Sequence, residues 1–267
     1  MPVLGCDEAK GAAHMRSFLT GLAIALLLVT SAFAFDGKKL HYEIDWGPAT
    51  LADLNIQLLE SQSVRSVSAE LNSRGVGAWF SDFQATLEVM RIDDGALLLN
   101  GDSAWGKVLS SITVTWPEDE SKPLVDFYRS QPRDYELSPV PVDLMNGTVD
   151  PSSILFDLKE KLDQSNRCEG FYRVFDGIRR YDLQVTQGSV EVLRAEDIDD
   201  YSGEAYRCEI SMIRHGGFSV KRSLVKFDES EITRTLYFAN IKGQWLPVRF
   251  EIELPFGRAT ARLKVTD

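Results

Sequence analysis

The stretch DPSSILFDLKEKLDQSNRCEGFYRVFDGIRRYD, from Asp150 to Asp182, decides how the chain is built. Asp150 followed by Pro151 is a helix start. A short acceptor side chain can satisfy the orphan N–H groups of the first turn, and proline at the first helical position gives up a donor that had no partner. Ile154, Leu155, Leu158 and Leu162 recur at helical spacing, while Lys159, Glu160, Lys161 and Asp163 point away, which predicts an amphipathic helix to about Gln164. Beyond Cys168, the run Val174-Phe175-Asp176-Gly177-Ile178-Arg179 reads as a tight hairpin. No other segment reads convincingly as a helix. One apolar stripe must be covered, and the economical cover is the concave face of a curled antiparallel sheet.

Working outward, the upstream chain alternates with period two. Leu40, Tyr42, Ile44 and Trp46 share one face and His41, Glu43 and Asp45 the other, until Gly47-Pro48 breaks the run. Ala52, Leu54, Ile56 and Leu58 form a second run, and Val67, Ala69 and Leu71 a third. Arg74-Gly75-Val76-Gly77-Ala78-Trp79-Phe80 has two glycines without the third that a nucleotide loop requires, and reads as a bend entering a helical turn near Trp79. Strands are expected over 83–92, 96–103 and 108–116, the first two joined by Asp93-Asp94-Gly95. Pro117, Pro123, Pro132, Pro139 and Pro141 make 117–149 a long surface connection. Further strands are expected over 190–193, 206–213, 218–227, 232–239, 246–254 and 259–265. The expected fold is mainly β: one continuous curved antiparallel sheet or incomplete β-barrel, with one main α-helix packed on its concave face.

The N-terminal segment carries a targeting pattern. Arg16 precedes an apolar run from Phe18 to Val29, and Ser31-Ala32-Phe33-Ala34 supplies a small-residue cleavage site. Residues 1–34 are therefore expected to be a signal peptide cut near Ala34, with Met15 as the true start and 35–267 as a single β-rich domain. The run falls short of the ~20 residues that span a bilayer, so no transmembrane segment is expected in the mature chain, and the expected location is the periplasm. Val3-Leu4-Gly5-Cys6 mimics a lipoprotein box but has no apolar segment before it. The formal net charge of −11 argues against nucleic-acid partners and against docking on anionic membranes. Cys168 and Cys208 are the cysteines left after cleavage, and in an oxidising compartment they are expected to form one disulfide.

Motifs for catalysis are sparse. Only His41 and His215 remain beyond the leader, and there is no metalloprotease, nucleophile-elbow or phosphate-loop pattern. No catalytic residue, metal or cofactor is expected. Residues 196–204 are acidic, but Tyr201 and Ser202 stand where a calcium loop needs a ligand and a glycine. His215-Gly216-Gly217 reads as a turn between strands. The hairpin arginines are more informative. A two-residue turn at Asp176-Gly177 would set Arg173 opposite Arg180, and a three-residue loop would set it opposite Arg179. Either way a counter-charge is required: Asp182, Glu169 or an anionic ligand. Arg173, Arg179 and Arg180 are thus candidate ligand-binding residues. Trp46, Trp79, Phe80 and Trp105 are candidate walls for an apolar ligand, such as an acyl chain, held between helix and sheet.

Several of these residues also carry a resemblance. The leader, Asp150-Pro151-Ser152-Ser153, Cys168, the run Phe175-Asp176-Gly177-Ile178-Arg179-Arg180-Tyr181-Asp182, Cys208 and Leu246-Pro247-Val248-Arg249 together resemble the bacterial domain-of-unknown-function family numbered 3108. The resemblance implies an exported envelope protein of diderm bacteria and supplies no catalytic residues. The expected function is a non-enzymatic binding module for an apolar or lipid-like ligand. The alternative is an interaction protein in envelope assembly, meeting an envelope protein partner through an exposed sheet edge or the proline-rich connection. An apolar void of a few hundred Å³ between helix and sheet would favour the first, and close packing the second.

Overall fold

The alternating runs become strands of one sheet. A computed structural model describes residues 37–60, 65–80, 82–91, 96–119, 121–133, 136–194, 201–220, 232–255 and 257–264. The first half contributes β1 (Gly37–Trp46), β2 (Ala49–Glu60), β3 (Arg65–Ser73), the short helix α1 (Val76–Phe80), β4 (Phe83–Arg91), β5 (Leu97–Trp105), β6 (Val108–Trp116) and β7 (Leu124–Arg129). A single 3-10 turn at Val142–Leu144 and the helix α2 (Pro151–Ser165) follow. The second half contributes β8 (Gly170–Phe175), β9 (Arg180–Leu193), β10 (Gly203–Gly216), β11 (Thr233–Ile241), β12 (Gln244–Leu254) and β13 (Gly257–Lys264).

Every pairing in the sheet is antiparallel, and the spatial order is β7-β6-β5-β4-β3-β2-β1-β13-β12-β11-β10-β9-β8. Each half is a meander, so local hairpins account for nearly all of the ladder. The one long-range seam joins β1 to β13, with Tyr42 opposite Leu263 and Ile44 opposite Ala261. The connection from β7 to β8 therefore runs from one edge of the sheet to the other and carries α2 on the way. The sheet does not close into a barrel, and no ladder joins β7 to β8.

The helix is held at both ends as its sequence requires. The Asp150 carboxylate is fully buried and accepts the N–H groups of Ser152 at 2.8 Å and Ser153 at 3.2 Å. Asn166 takes a left-handed conformation (φ 54°) and returns its N–H to the Leu162 carbonyl at 3.0 Å. Ile154, Leu158 and Leu162 are buried against Val174, Val185, Leu236, Phe238 and Trp245 from β8, β9, β11 and β12. Each such side chain contributes about 1.5–3 kcal/mol by its removal from water. Cys168 and Cys208 sit in the same cluster and form a disulfide with a Cα–Cα distance of 5.8 Å.

Three expectations need correction. The proline-rich connection contains a strand, β7, whose residues Leu124, Val125, Phe127 and Tyr128 are exposed. With neither face covered it shows no inside–outside alternation, and so it reads as loop. The hairpin register also differs. Its loop has four residues, Asp176 to Arg179, so Phe175 faces Arg180 and Arg173 faces Asp182. The Asp176 carboxylate stabilises this wider loop by accepting N–H groups from Ile178 at 3.1 Å and Arg179 at 2.7 Å. No two arginines face each other in this hairpin. The strand expected over 190–193 begins much earlier, at Arg180.

The expected leader at 1–34, the Asp93-Asp94-Gly95 turn, much of the acidic stretch before Tyr201 and most of 218–227 lie outside the described residues.

Candidate functional site

The β8–β9 turn lies against β6, a strand of the other half of the sheet. Gly177 has φ +90°, and a Cβ built there would lie 2.3 Å from Ile112 Cδ1 and 2.7 Å from Val114 Cγ2 on β6. Only a glycine lets the turn rest against β6 this closely. Phe175 is buried with Val89, Leu99, Val114 and Trp116 of β4, β5 and β6. Strand β8 and the distant β4–β6 thus share a core although no hydrogen bonds join them. The curl leaves a space between the helix and the inner face of the sheet.

That space is a cavity of about 660 Å³. Its helix side is formed by Pro151, Ile154, Leu155 and Leu158. Its sheet side is formed by Tyr42 and Ile44 of β1, Leu54 and Ile56 of β2, Leu183 and Val185 of β9, Ile210 and Met212 of β10, and Leu236 of β11. Among the described residues that line it, five are charged: Asp176, Arg179, Arg214, Arg234 and Arg249; the rest are apolar or tyrosine. The volume lies in the ~300–1,000 Å³ range typical of small-molecule sites, and an apolar lining with a few convergent polar groups is their usual chemistry.

The charged groups are not scattered. Arg179 immediately precedes β9, Arg214 lies near the end of β10, and Arg234 is the second residue of β11. In an antiparallel sheet those positions fall at one end of three adjacent strands. Burial pushes the Arg214 guanidinium below its usual range, and the charges of Arg234 and then Arg179 push it further the same way. Burial lowers Arg234 as well. Arg214 lies over the Phe218 ring at 4.7 Å, and that ring meets Tyr181 edge-on at 6.3 Å. Arg179 donates through Nε to Asp176 at 2.9 Å. Arg249 is drawn toward the outer face, where it lies 3.4 Å from Glu251 and 4.1 Å from the Tyr237 ring centroid.

The arginines singled out in the sequence take three different positions. Arg180 is 2 % exposed and donates to the carbonyls of Leu144 and Tyr181 and to Asp182 at 2.6 Å. Asp182 also meets His215 Nε2 at 2.8 Å. Burial alone would raise the Asp182 pKa, but the hydrogen bonds from Arg180 and His215 outweigh it and hold the carboxyl below its usual value. Arg180 is thereby part of the scaffold. Arg173 is exposed on β8, with its carbonyl taken by Val149 at 2.8 Å. Arg179 alone of the three lines the cavity.

The aromatic candidates lie elsewhere. Trp79 is 87 % exposed, and Trp105 is 61 % exposed with its ring edge-on to Phe83 at 5.6 Å. Trp46 packs over Gly257 of β13. Phe80 ends α1, and its side chain lies outside the described residues. None of Trp46, Trp79 and Trp105 is among the described residues lining the cavity. Arg214 and Arg234 are the site residues that the reading of the sequence missed. Their signal was parity: Arg214 is in phase with Ile210 and Met212, and Arg234 with Leu236, so both belong to the inward face.

Among the described residues no group of three or more His, Cys, Asp or Glu is placed to hold a metal ion, and no helix is long and apolar enough to cross a membrane.

A family model described as "Protein of unknown function (DUF3108)" matches residues 41–264, from β1 to the end of β13. The chain belongs to the DUF3108 family. Neither a curated protein nor a solved structure matches it. The family match spans both meanders, α2 and the disulfide, so the cavity of this DUF3108 member lies wholly within the matched region.

Proposed function

We propose that this DUF3108 protein is a non-enzymatic binding module for an apolar or lipid-like ligand, held between α2 and the concave face of the sheet. One observation carries the reading: the helix that ought to fill the curl leaves about 660 Å³ of apolar-walled space beside it. Protein cores are normally packed to crystal density. A space of this size lined by Ile, Leu and Val is costly unless something occupies it. The reading includes export to the periplasm, supported by the Cys168–Cys208 disulfide, since such bonds persist in oxidising compartments.

The test is saturable uptake of a neutral apolar dye, N-phenylnaphthylamine, displaced by dodecanol. Leu155→Trp, which fills the space from the helix side, should abolish uptake while leaving the melting temperature near that of the parent. Met212→Trp does the same from the sheet side, should the helix variant fold poorly. Absence of saturable uptake, or parental uptake in a folded filled variant, refutes the binding module.

A second reading rests on β7. Its described partner is β6 alone, and it exposes Leu124, Val125, Phe127 and Tyr128. An envelope protein that adds an antiparallel strand there would make the protein an assembly factor. A photo-crosslinker at Tyr128 should then trap one defined partner in cells.

A further inference from the structure

We propose that Tyr181 anchors the ligand: its hydroxyl donates a hydrogen bond to an alcohol or carbonyl oxygen at the end of an otherwise apolar chain. The inference rests on the apolar-ligand reading above and adds the polar contact that orients such a ligand. The first support is which polar groups of the lining are already engaged. Asp176 accepts from Ile178 and Arg179, and Tyr42 donates to the Pro247 carbonyl. Arg214, Arg234 and Arg249 each have partners of their own. Tyr181 differs: it lines the cavity, and among the described residues nothing hydrogen-bonds its hydroxyl.

The second support is position. Tyr181 is in phase with Leu183 and Val185 on β9, so its side chain belongs to the face that those two present to the cavity. The hydroxyl feels the charges of Asp176, Arg179 and Asp150, which places it beside the β8–β9 turn and the first turn of α2. Ile44, Leu54 and Ile56 on β1 and β2 add an apolar wall. A hydrocarbon chain against those residues, with its oxygen at Tyr181, uses both parts of the lining.

The third support is the state and rigidity of the donor. Burial raises the Tyr181 pKa, Asp176 raises it further, and Arg179 offsets part of this. The phenol therefore keeps its proton through neutral and mildly alkaline solution and remains a donor. Its strand is paired on both sides, with Tyr181 opposite Val174 of β8 and Arg214 of β10, and its ring meets Phe218 edge-on at 6.3 Å. A hydroxyl held against low-dielectric walls gains more from an acceptor than it would in water, and one that meets hydrocarbon is left unpaired.

The experiment uses the intact protein with diphenylhexatriene, a fluorescent hydrocarbon without polar atoms, and with dodecanol and methyl dodecanoate. Diphenylhexatriene is titrated directly, and the other two are read by its displacement, below their solubility limits. Tyr181→Phe removes the hydroxyl and keeps the ring. The variant should bind diphenylhexatriene as the parent does, which reports a folded protein with an open cavity. It should bind dodecanol and methyl dodecanoate about fivefold more weakly, the scale of one neutral hydrogen bond. The ester can only accept, so an equal loss for both fixes Tyr181 as the donor. If Tyr181→Phe fails to take up diphenylhexatriene, Tyr181→Met carries the same comparison. Unchanged affinity for both oxygen-bearing ligands, in a variant that still takes up the hydrocarbon, overturns the anchor and leaves the apolar site intact. A loss confined to dodecanol overturns the assignment of Tyr181 as donor. Failure of every probe to bind the parent overturns the apolar-ligand reading as well.

Discussion

Replacing Gly177 with alanine tests the contact between the β8–β9 turn and β6. The native φ of +90° lies in the left-handed half of the backbone map, where an L-residue costs about 1–2 kcal/mol. The added Cβ would also sit 2.3 Å from Ile112 Cδ1 and 2.7 Å from Val114 Cγ2. Val114 is fully buried, so it has little room to move, and forced repacking of this kind costs about 1–3 kcal/mol. The two effects act together, giving an expected loss of about 2–5 kcal/mol, read as a lower urea midpoint at unchanged slope. A double-mutant cycle separates them. Ile112→Ala removes the nearer contact and leaves that of Val114. Gly177→Ala should therefore cost about 1 kcal/mol less in the Ile112→Ala background, with the backbone strain remaining. The same variant should loosen Asp176 and Arg179, which flank the turn and line the cavity. A loss below about 0.5 kcal/mol, or no coupling to Ile112, would show that the turn does not rest on β6.

Three further outcomes follow from the scaffold. Reducing the Cys168–Cys208 bond, which spans 40 residues, should lower stability by about 4 kcal/mol on the chain-entropy model; an unchanged melting temperature in reductant would contradict it. Asp182→Asn removes the carboxylate from Arg180 and His215 and should cost about 3 kcal/mol. Because the folded Asp182 pKa is depressed, its contribution is present above the unfolded value of about 4 and fades as pH falls through the lower folded value. The variant should therefore lose part of the parent's destabilisation in acid, and identical acid limbs would refute the linkage. Asp150→Ala strips the N-cap of α2 and should cost about 1–2 kcal/mol by thermal or urea unfolding; a change of a few tenths would mean the buried cap does not hold the helix.

The strands and helix were legible because each buries one side. Leu40, Tyr42 and Ile44 alternate with His41, Glu43 and Asp45 since the sheet has an inner and an outer face, and Ile154, Leu158 and Leu162 recur because one helical stripe is covered. The disulfide was legible from the count of two cysteines, Cys168 and Cys208, beyond the expected leader. Strand β7 was not, because exposure of both its faces erases the alternation that marks a strand. The hairpin register was not, because the Asp176 side chain sets the loop length through hydrogen bonds that composition alone does not reveal.

The cavity was harder to read for a deeper reason. A core position and a cavity wall ask for the same residues, and they differ only in whether a neighbour stands opposite. Tryptophan is the wall residue the sequence suggests, yet Trp79 and Trp105 are exposed, and much of the wall is Ile, Leu and Val, indistinguishable in sequence from filled core. What does differ is a cation in phase with the apolar face. A strand whose inward positions run Ile210, Met212, Arg214, beside one that runs Arg234, Leu236, places guanidinium groups where a packed core would exclude them. Arg179, Arg214 and Arg234 are far apart in the chain and meet only through the ladder of β9, β10 and β11. Local crowding at Arg173, Arg179 and Arg180 draws attention to three arginines of which Arg180 is structural, Arg173 is exposed and Arg179 alone lines the cavity. The inward parity of arginines such as Arg214 and Arg234, read strand by strand, is the signal that reaches the cavity.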